Sequence, residues 1–223
     1  MKKVLVFAAH PDDADIGCGG SIAKHTAIGN EVSVCYMTSG DAGSQRYSKE
    51  ELTNVRETEA RNAAKKLGIK DITFLRNPDM YLAFNKETLI KSTEVVRKVK
   101  PNIVYVHHAI PGDHRDHIAT NEIAIEAIGR ANNPCFQDCD GDPWNTETIL
   151  SYEVGTPFSN FNYVEDITDF LDTKIAALEE HKSQMEDINY SDLAKSLSQY
   201  RGIMNRKGTY CEAFNVLKIS KIF

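Results

Sequence analysis

No apolar run in this chain comes near the roughly 18 residues that a membrane-spanning helix needs. Nor is any stretch repeated, low in complexity or rich enough in Pro, Gly or Ser to mark a linker. Positive charge is also short: 26 Lys and Arg stand against 32 Asp and Glu, a formal net charge of −6. That balance argues against a broad electrostatic surface for nucleic acid or anionic lipid, and leaves room only for a local basic pocket. Cysteines are few, odd in number and scattered (Cys18, Cys35, Cys135, Cys139 and Cys211), which suits a reducing compartment and no disulfide framework. Cys135 and Cys139 lack the second pair that a structural zinc site requires, so two free thiols are expected there. The apolar stretch after Met1-Lys2-Lys3 is cut at His10 by proline and two acids, with no small-residue cleavage site. The expectation is therefore no secretion signal and a cytoplasmic location.

What is present is a core and a rhythm. Apolar residues make up 41% of the 223, enough for one domain spanning 1–223. β-Branched runs at Val4 to Ala9, Glu31 to Met37, Ile72 to Leu75 and Ile103 to Val106 alternate with amphipathic stretches at Gly20 to Ile28, Lys49 to Leu67, Asn85 to Lys100 and His117 to Ala131. Gly68 and Pro101 supply helix stops. Asn132 to Thr146, with the only tryptophan, reads as a loop or lid suited to substrate selection. A strand at Ile149 to Val154, an aromatic loop from Pro157 to Tyr163, helices over Asp166 to Met185 and Ser191 to Asn205 (capped by Ser191), and a strand at Phe214 to Ile219 complete the chain. The alternation predicts an α/β fold: a Rossmann-like, doubly wound, mostly parallel sheet with helices on both faces.

Two strand ends carry ionisable clusters. The first run leads into His10-Pro11-Asp12-Asp13, where His10 and Asp13 can converge on one cation and Asp12 is left over. The fourth leads into His107 and His108, then, after a Pro111-Gly112 turn, Asp113-His114-Arg115-Asp116-His117. Ligands bind open parallel sheets outside the carboxyl ends of the strands, and neighbouring first and fourth strands would bring the two clusters together. A His, Asp, His set with an open position and a surplus acid is what metal-assisted hydrolysis needs. Any of His107, His108, His114 and His117 is near enough to close the set. We choose His117, which sits at a rigid helix start, with Asp116 beside it as an orienting carboxylate and His114 free as an acid or oxyanion donor. A dinucleotide fingerprint at Gly17-Cys18-Gly19-Gly20 fails on spacing, since His10 to Ile16 intervene and Ile22 stands where a small residue is required. Those glycines serve helix packing instead.

Taken together, the ordered motifs resemble the PIG-L, or LmbE-like, family of zinc-dependent N-acetylglucosaminyl deacetylases. They are His10-Pro11-Asp12-Asp13-Ala14-Asp15-Ile16-Gly17-Cys18-Gly19-Gly20, Thr38 to Gly43, Arg56-Glu57-Thr58-Glu59-Ala60, Asp79, Asp113 to His117, Asp166 to Thr168 with Lys174, His181 to Gln184, and Tyr210 to Phe214. The resemblance implies that His10, Asp13 and His117 hold zinc, and the same donors would also accept Fe2+ or Co2+. It implies that Asp12 is the general base for a metal-activated water, that protonated His114 stabilises the oxyanion, and that Asp116 orients. Arg56, Glu57 and Asp79 would contact sugar hydroxyls. The substrate would be a small N-acetyl amino sugar conjugate, and trimeric or hexameric homo-oligomers occur among such proteins. Arg115 departs from the proline that several members carry; its charge near the mouth leads us to expect a substrate-binding role toward an anionic aglycone. Two alternatives stand beside this: an amidase acting on a thiol-sugar conjugate or another N-acyl group, and a non-catalytic metal- or sugar-binding α/β protein. The intact Asp12 argues against the last.

Overall fold

Alternate residues of the first strand serve opposite layers. In β1 (Lys3–Ala8), Val4, Val6 and Ala8 enter one core cluster and Leu5 and Phe7 the other, all without solvent exposure. A strand apolar on both faces belongs in the middle of a parallel sheet, and the computed structural model, which describes residues 1–185 and 188–220, places it there. One seven-stranded sheet runs in the order β3-β2-β1-β4-β5-β7-β6. It is built from β1, β2 (Glu31–Thr38), β3 (Asp71–Asn77), β4 (Ile103–His107), β5 (Thr148–Tyr152), β6 (Tyr163–Asp166) and β7 (Cys211–Ile219). β1 to β5 are parallel; β7 pairs antiparallel with both β5 and β6. Helices α1 (Asp13–Ala27), α2 (Lys49–Leu67), α5 (Leu171–Leu178) and α7 (Tyr190–Asn205) pack on one face, and α3 (Lys86–Val99) and α4 (Arg115–Asn132) on the other. A short α6 spans Lys182–Met185. No helix among the described residues is long and apolar enough to cross a membrane.

The chain runs outward through β1, β2 and β3, then returns to β4 on the other side of β1. Strand order therefore reverses between β1 and β4, the place where the carboxyl-edge loops diverge and leave a crevice.

The structure moves several expected boundaries. α1 starts at Asp13, seven residues before Gly20, because the glycines lie inside the helix, where propensity alone disfavours them. Tight packing explains their presence: a Cβ on Gly17 would fall 2.3 Å from the Tyr152 ring and one on Gly20 2.6 Å from Ile167. The helix kinks at Cys18, and Glu212 accepts the amides of Gly20 (2.9 Å) and Ser21 (2.8 Å) just beyond, with Lys174 Nζ at 2.7 Å. Asp166 to Met185 is not one helix, since Asp166 closes β6 and accepts Thr168 N and Oγ1 in a local turn. The cap of α7 is Asn189, which accepts Asp192 N, so the helix begins before Ser191.

The Asn132 to Thr146 loop lies at the amino edge of the sheet, away from any crevice at the carboxyl ends. Arg97 donates to the carbonyls of Asn133, Phe136, Cys139 and Gly141, and Trp144 Nε1 donates to Pro101 O just before β4. A crossover must return to the start of the next strand, so a loop between α4 and β5 cannot be a lid over the site. Cys135 and Cys139 within it are free thiols.

Candidate metal centre and catalytic site

The turn after β1 is folded by its own carboxylate. His10 N donates to Asp13 Oδ2 at 2.7 Å, and Asp13 starts α1, where an acid complements the helix dipole. The same carboxylate then faces three imidazoles: His10 Nδ1 at 3.2 Å, His107 Nε2 at 3.2 Å and His117 Nε2 at 3.3 Å. Burial should strip their charge, yet His10 is held well above the ordinary histidine value by Asp13, Asp116 and Asp79. His117 rises to about 9 against the same burial, because Asp13 and Asp113 lie beside it. Asp13 itself is lowered, its desolvation outweighed by His117, His107 and His10.

His107 is fully buried and stacks on His117 with ring centroids 4.3 Å apart. Its Nε2 receives the Ala9 amide at 3.1 Å, so that lone pair is occupied. Burial and the charge of His117 push it down to about 4, which keeps it neutral. His10 and His117 remain, bridged by Asp13, on the side that opens to the cleft. Ligand atoms lie within 4.8 Å of one another in three overlapping groups, His10 with His114 and His117, Asp13 with His107 and His117, and His10 with Asp79 and Asp116. Two nitrogens and a carboxylate oxygen suit zinc, iron or cobalt. Imidazole and carboxylate donors of this kind fit a divalent metal, and His10, Asp13 and His117 all border the cleft.

Asp12 stands outside that set. It occupies the cap position of α1 but makes no capping bond; one oxygen accepts Arg56 Nη2 at 3.0 Å, and the side chain borders the cleft. Arg56 comes from the buried face of α2 and also donates to Gly40 O at 3.1 Å. Gly40 has φ +67, and a Cβ there would lie 2.1 Å from Arg56 Nη1, so both backbone and space demand glycine.

His114 caps α4 and its Nδ1 accepts the Asp116 amide at 3.2 Å. The ring proton consequently sits on Nε2. Burial, then the charges of His10 and His117, push this imidazole below its usual value. His114 is thus a neutral donor, whereas the sequence suggested an imidazolium.

The remaining expected residues divide. Asp79 borders the cleft, with Oδ1 3.1 Å from His10 Nε2 and Oδ2 accepting Ala42 N at 2.9 Å. Asp116 faces His10 rather than His117 (3.4 Å) and accepts the amides of Met80 (2.7 Å) and Leu82 (3.2 Å), which fixes the β3–α3 loop. Met80 adopts φ +68 there. Glu57 is buried against Ser39, Arg61 and Arg76, and Arg115 is exposed on the first turn of α4; neither borders the cleft.

Sequence reasoning missed three contributors. The acid near His117 is Asp113, at 3.6 Å from Nδ1; it precedes the cap His114 and lies outside α4, so helical spacing does not mark it. Gln184, which the sequence shows only as part of the His181 to Gln184 motif, and Tyr190 close the cleft from α6 and the start of α7. The cleft is about 290 Å³.

Comparison with known proteins gives the same centre a lineage. The family model for PIG-L, GlcNAc-PI de-N-acetylase, matches residues 5–128, a span that contains His10, Asp12, Asp13, Arg56, Asp79, His114, Asp116 and His117. This chain belongs to the PIG-L family. It is 32% identical over 216 residues to the diacetylchitobiose deacetylase of Thermococcus kodakarensis, covering 92% of this chain and 79% of that protein. It is 28% identical to a probable N-acetyl-α-D-glucosaminyl L-malate deacetylase of Bacillus cereus, covering 83% and 84%. Among solved structures, the N,N′-diacetylchitobiose deacetylase of Pyrococcus horikoshii superposes with a TM-score of 0.87 at 32% identity, covering 97% of this chain and 84% of that one. PIG-L membership makes the protein a hydrolase of the N-deacetylase class.

Proposed function

We propose that the protein removes the acetyl group from an N-acetylglucosamine-type sugar conjugate, with Asp12 as general base beside a metal held by His10, Asp13 and His117. The observation that carries this is the position of Asp12: it borders the cleft next to three candidate ligands, anchored by one oxygen to Arg56 and spared from ligation. A divalent ion bound there would lower the pKa of water and polarise the amide carbonyl. Asp12 takes the proton from the attacking water and afterwards delivers it to the departing nitrogen. His114 Nε2–H donates to the carbonyl oxygen as negative charge collects on it. Water adds to the carbonyl carbon, the C–N bond breaks, and acetate and a free amine result. Asp79, on the cleft wall, is placed to accept from a sugar hydroxyl.

The cleft favours a neutral aglycone. Its one arginine is committed to Asp12 and Gly40 O, Arg115 lies outside the lining, and Met80 on the rim belongs to a loop that also exposes Tyr81 and Phe84. A second sugar fits this chemistry better than a carboxylate or phosphate. Amine release from N-acetylglucosamine conjugates with neutral, carboxylate and phosphate aglycones, by zinc-loaded and chelated protein, tests both parts. Metal-dependent release, fastest on a neutral saccharide, is expected. A loaded protein inert on every N-acetyl sugar would refute the deacetylase reading, and preference for charged conjugates would refute the neutral aglycone.

A further inference from the structure

Beyond β4 the chain stays extended for one more residue, with His108 N donating to Tyr152 O at 2.9 Å. Extended backbone alternates its side chains, so His107 turns toward His117 and Tyr152 while His108 turns the other way, against Phe158, ring centroids 4.7 Å apart. There the imidazole is 2% exposed, and its Nε2 lies 3.3 Å from Asp113 Oδ2, within ion-pair range. The other Asp113 oxygen accepts His114 N at 2.8 Å and Thr156 Oγ1 at 3.2 Å, and it is this oxygen that faces His117 Nδ1. Three parts of the chain therefore fix one carboxylate behind the metal-binding histidine: the end of β4, the cap of α4 and the β5–β6 connection. Burial opposes the charge on Asp113, but His117, the His114 amide and His108 hold it ionised, down to about 2.

We propose that His108 is a positioning residue for the metal centre: it holds Asp113, and through Asp113 it keeps the His117 proton on Nδ1, leaving Nε2 free toward Asp13 and the ion. A histidine that ligates through one nitrogen ordinarily donates its other N–H to a carboxylate, which sets the ring's tautomer and orientation. Asp113 supplies the carboxylate, and a buried carboxylate turns unless its second oxygen is also held. His108 Nε2, 3.3 Å from that second oxygen, is the ring nitrogen placed to donate to it, and the oxygen is otherwise without a hydrogen-bond partner among the described residues. The proposal rests on His117 being a ligand.

Cobalt(II) affinity by chelator competition, with the visible spectrum of the bound ion, separates the possibilities on the full chain. His117→Ala is expected to lose binding by more than about 100-fold. His108→Phe, which keeps a ring against Phe158, should weaken it by roughly 10-fold and change the spectrum, in the range seen when an outer partner of a ligand is removed. His108→Leu serves the same purpose should the phenylalanine variant not fold. His108→Gln, which retains an N–H, should recover most of the loss. Combined with Asp113→Asn, His108→Phe should add little, because both act through one carboxylate. Wild-type affinity in the apolar His108 variants, or losses that simply add with Asp113→Asn, would overturn the positioning role while leaving His117 a ligand. Wild-type affinity in His117→Ala would instead remove the ligand assignment on which the proposal stands.

Discussion

Carboxylates in this molecule have been given different work by their surroundings. Asp13 is surrounded by imidazoles, Asp12 by a single guanidinium, and Glu57 by Ser39, Arg61 and Arg76. Glu57 shows what a purely structural acid does here. Its desolvation is outweighed by Arg76, Ser39 and Arg61, so its pKa falls to about 2. A carboxyl lowered on folding stabilises the native state above its unfolded value, near 4.3, and that contribution disappears as pH falls through the folded value. Urea midpoints measured between pH 5 and pH 2 should therefore drop more steeply for wild type than for Glu57→Gln, which starts lower and runs flatter; parallel curves would contradict this. Arg115 gives a second test. Because it is exposed and outside the cleft lining, Arg115→Ala should leave kcat/KM within about twofold on neutral and charged conjugates alike, each surface contact being worth under about 1 kcal/mol. A selective loss on charged conjugates would place the arginine at the substrate after all.

At the level of elements, the β-branched runs that became β1, β2 and β4, and the helices α2 and α3, were legible because their periodicity and stops agree: Ser48 with Glu51 forms a capping box and Gly68 a left-handed stop. The start of α1 was not, because glycines at 17, 19 and 20 oppose helix locally and are required only by Tyr152, Lys174 and Ile167, distant in sequence. The edge strand β6 is hidden in the sequence for a related reason, its Tyr163 falling in the expected aromatic loop and its Asp166 in the expected helix, since four residues carry no period of their own. The candidate ligands were legible from composition at two strand ends, but the split between Asp113 and Asp116 depended on where α4 starts, Asp113 lying before its cap and Asp116 in its first turn. Two substitutions probe these conclusions. Gly17→Ala drives a Cβ into Tyr152 and to 2.8 Å from Glu153 O; it should cost about 1–3 kcal/mol and reduce turnover, because Asp12 and Asp13 ride on the same helix. Trp144→Phe breaks the bond to Pro101 O at the opposite edge and should cost about 1–2 kcal/mol with kcat/KM unchanged. Loss of turnover in Trp144→Phe, at undiminished folding, would return the Asn132 to Thr146 loop to the site.

For the whole molecule, the topology explains why one sheet assembles the centre. Reversal of strand order between β1 and β4 sets His10 to Asp13 beside Asp113 to His117, and the loop after β3, two strands away from β1, adds Asp79 and Met80. The three segments are far apart in sequence, yet each lies at the carboxyl edge. The fold thus gathers the candidate ligands, Asp12 and His114 around one cleft. The measurement that decides most about this division of labour is deacetylation by Asp12→Asn at verified metal occupancy. We predict metal content and affinity equal to wild type, an unchanged fold, and turnover lower by roughly 10²–10⁴-fold, the range for a lost general base. A variant that loses its metal would make Asp12 a ligand, and one that keeps both metal and wild-type turnover would show that the proton is taken by another group.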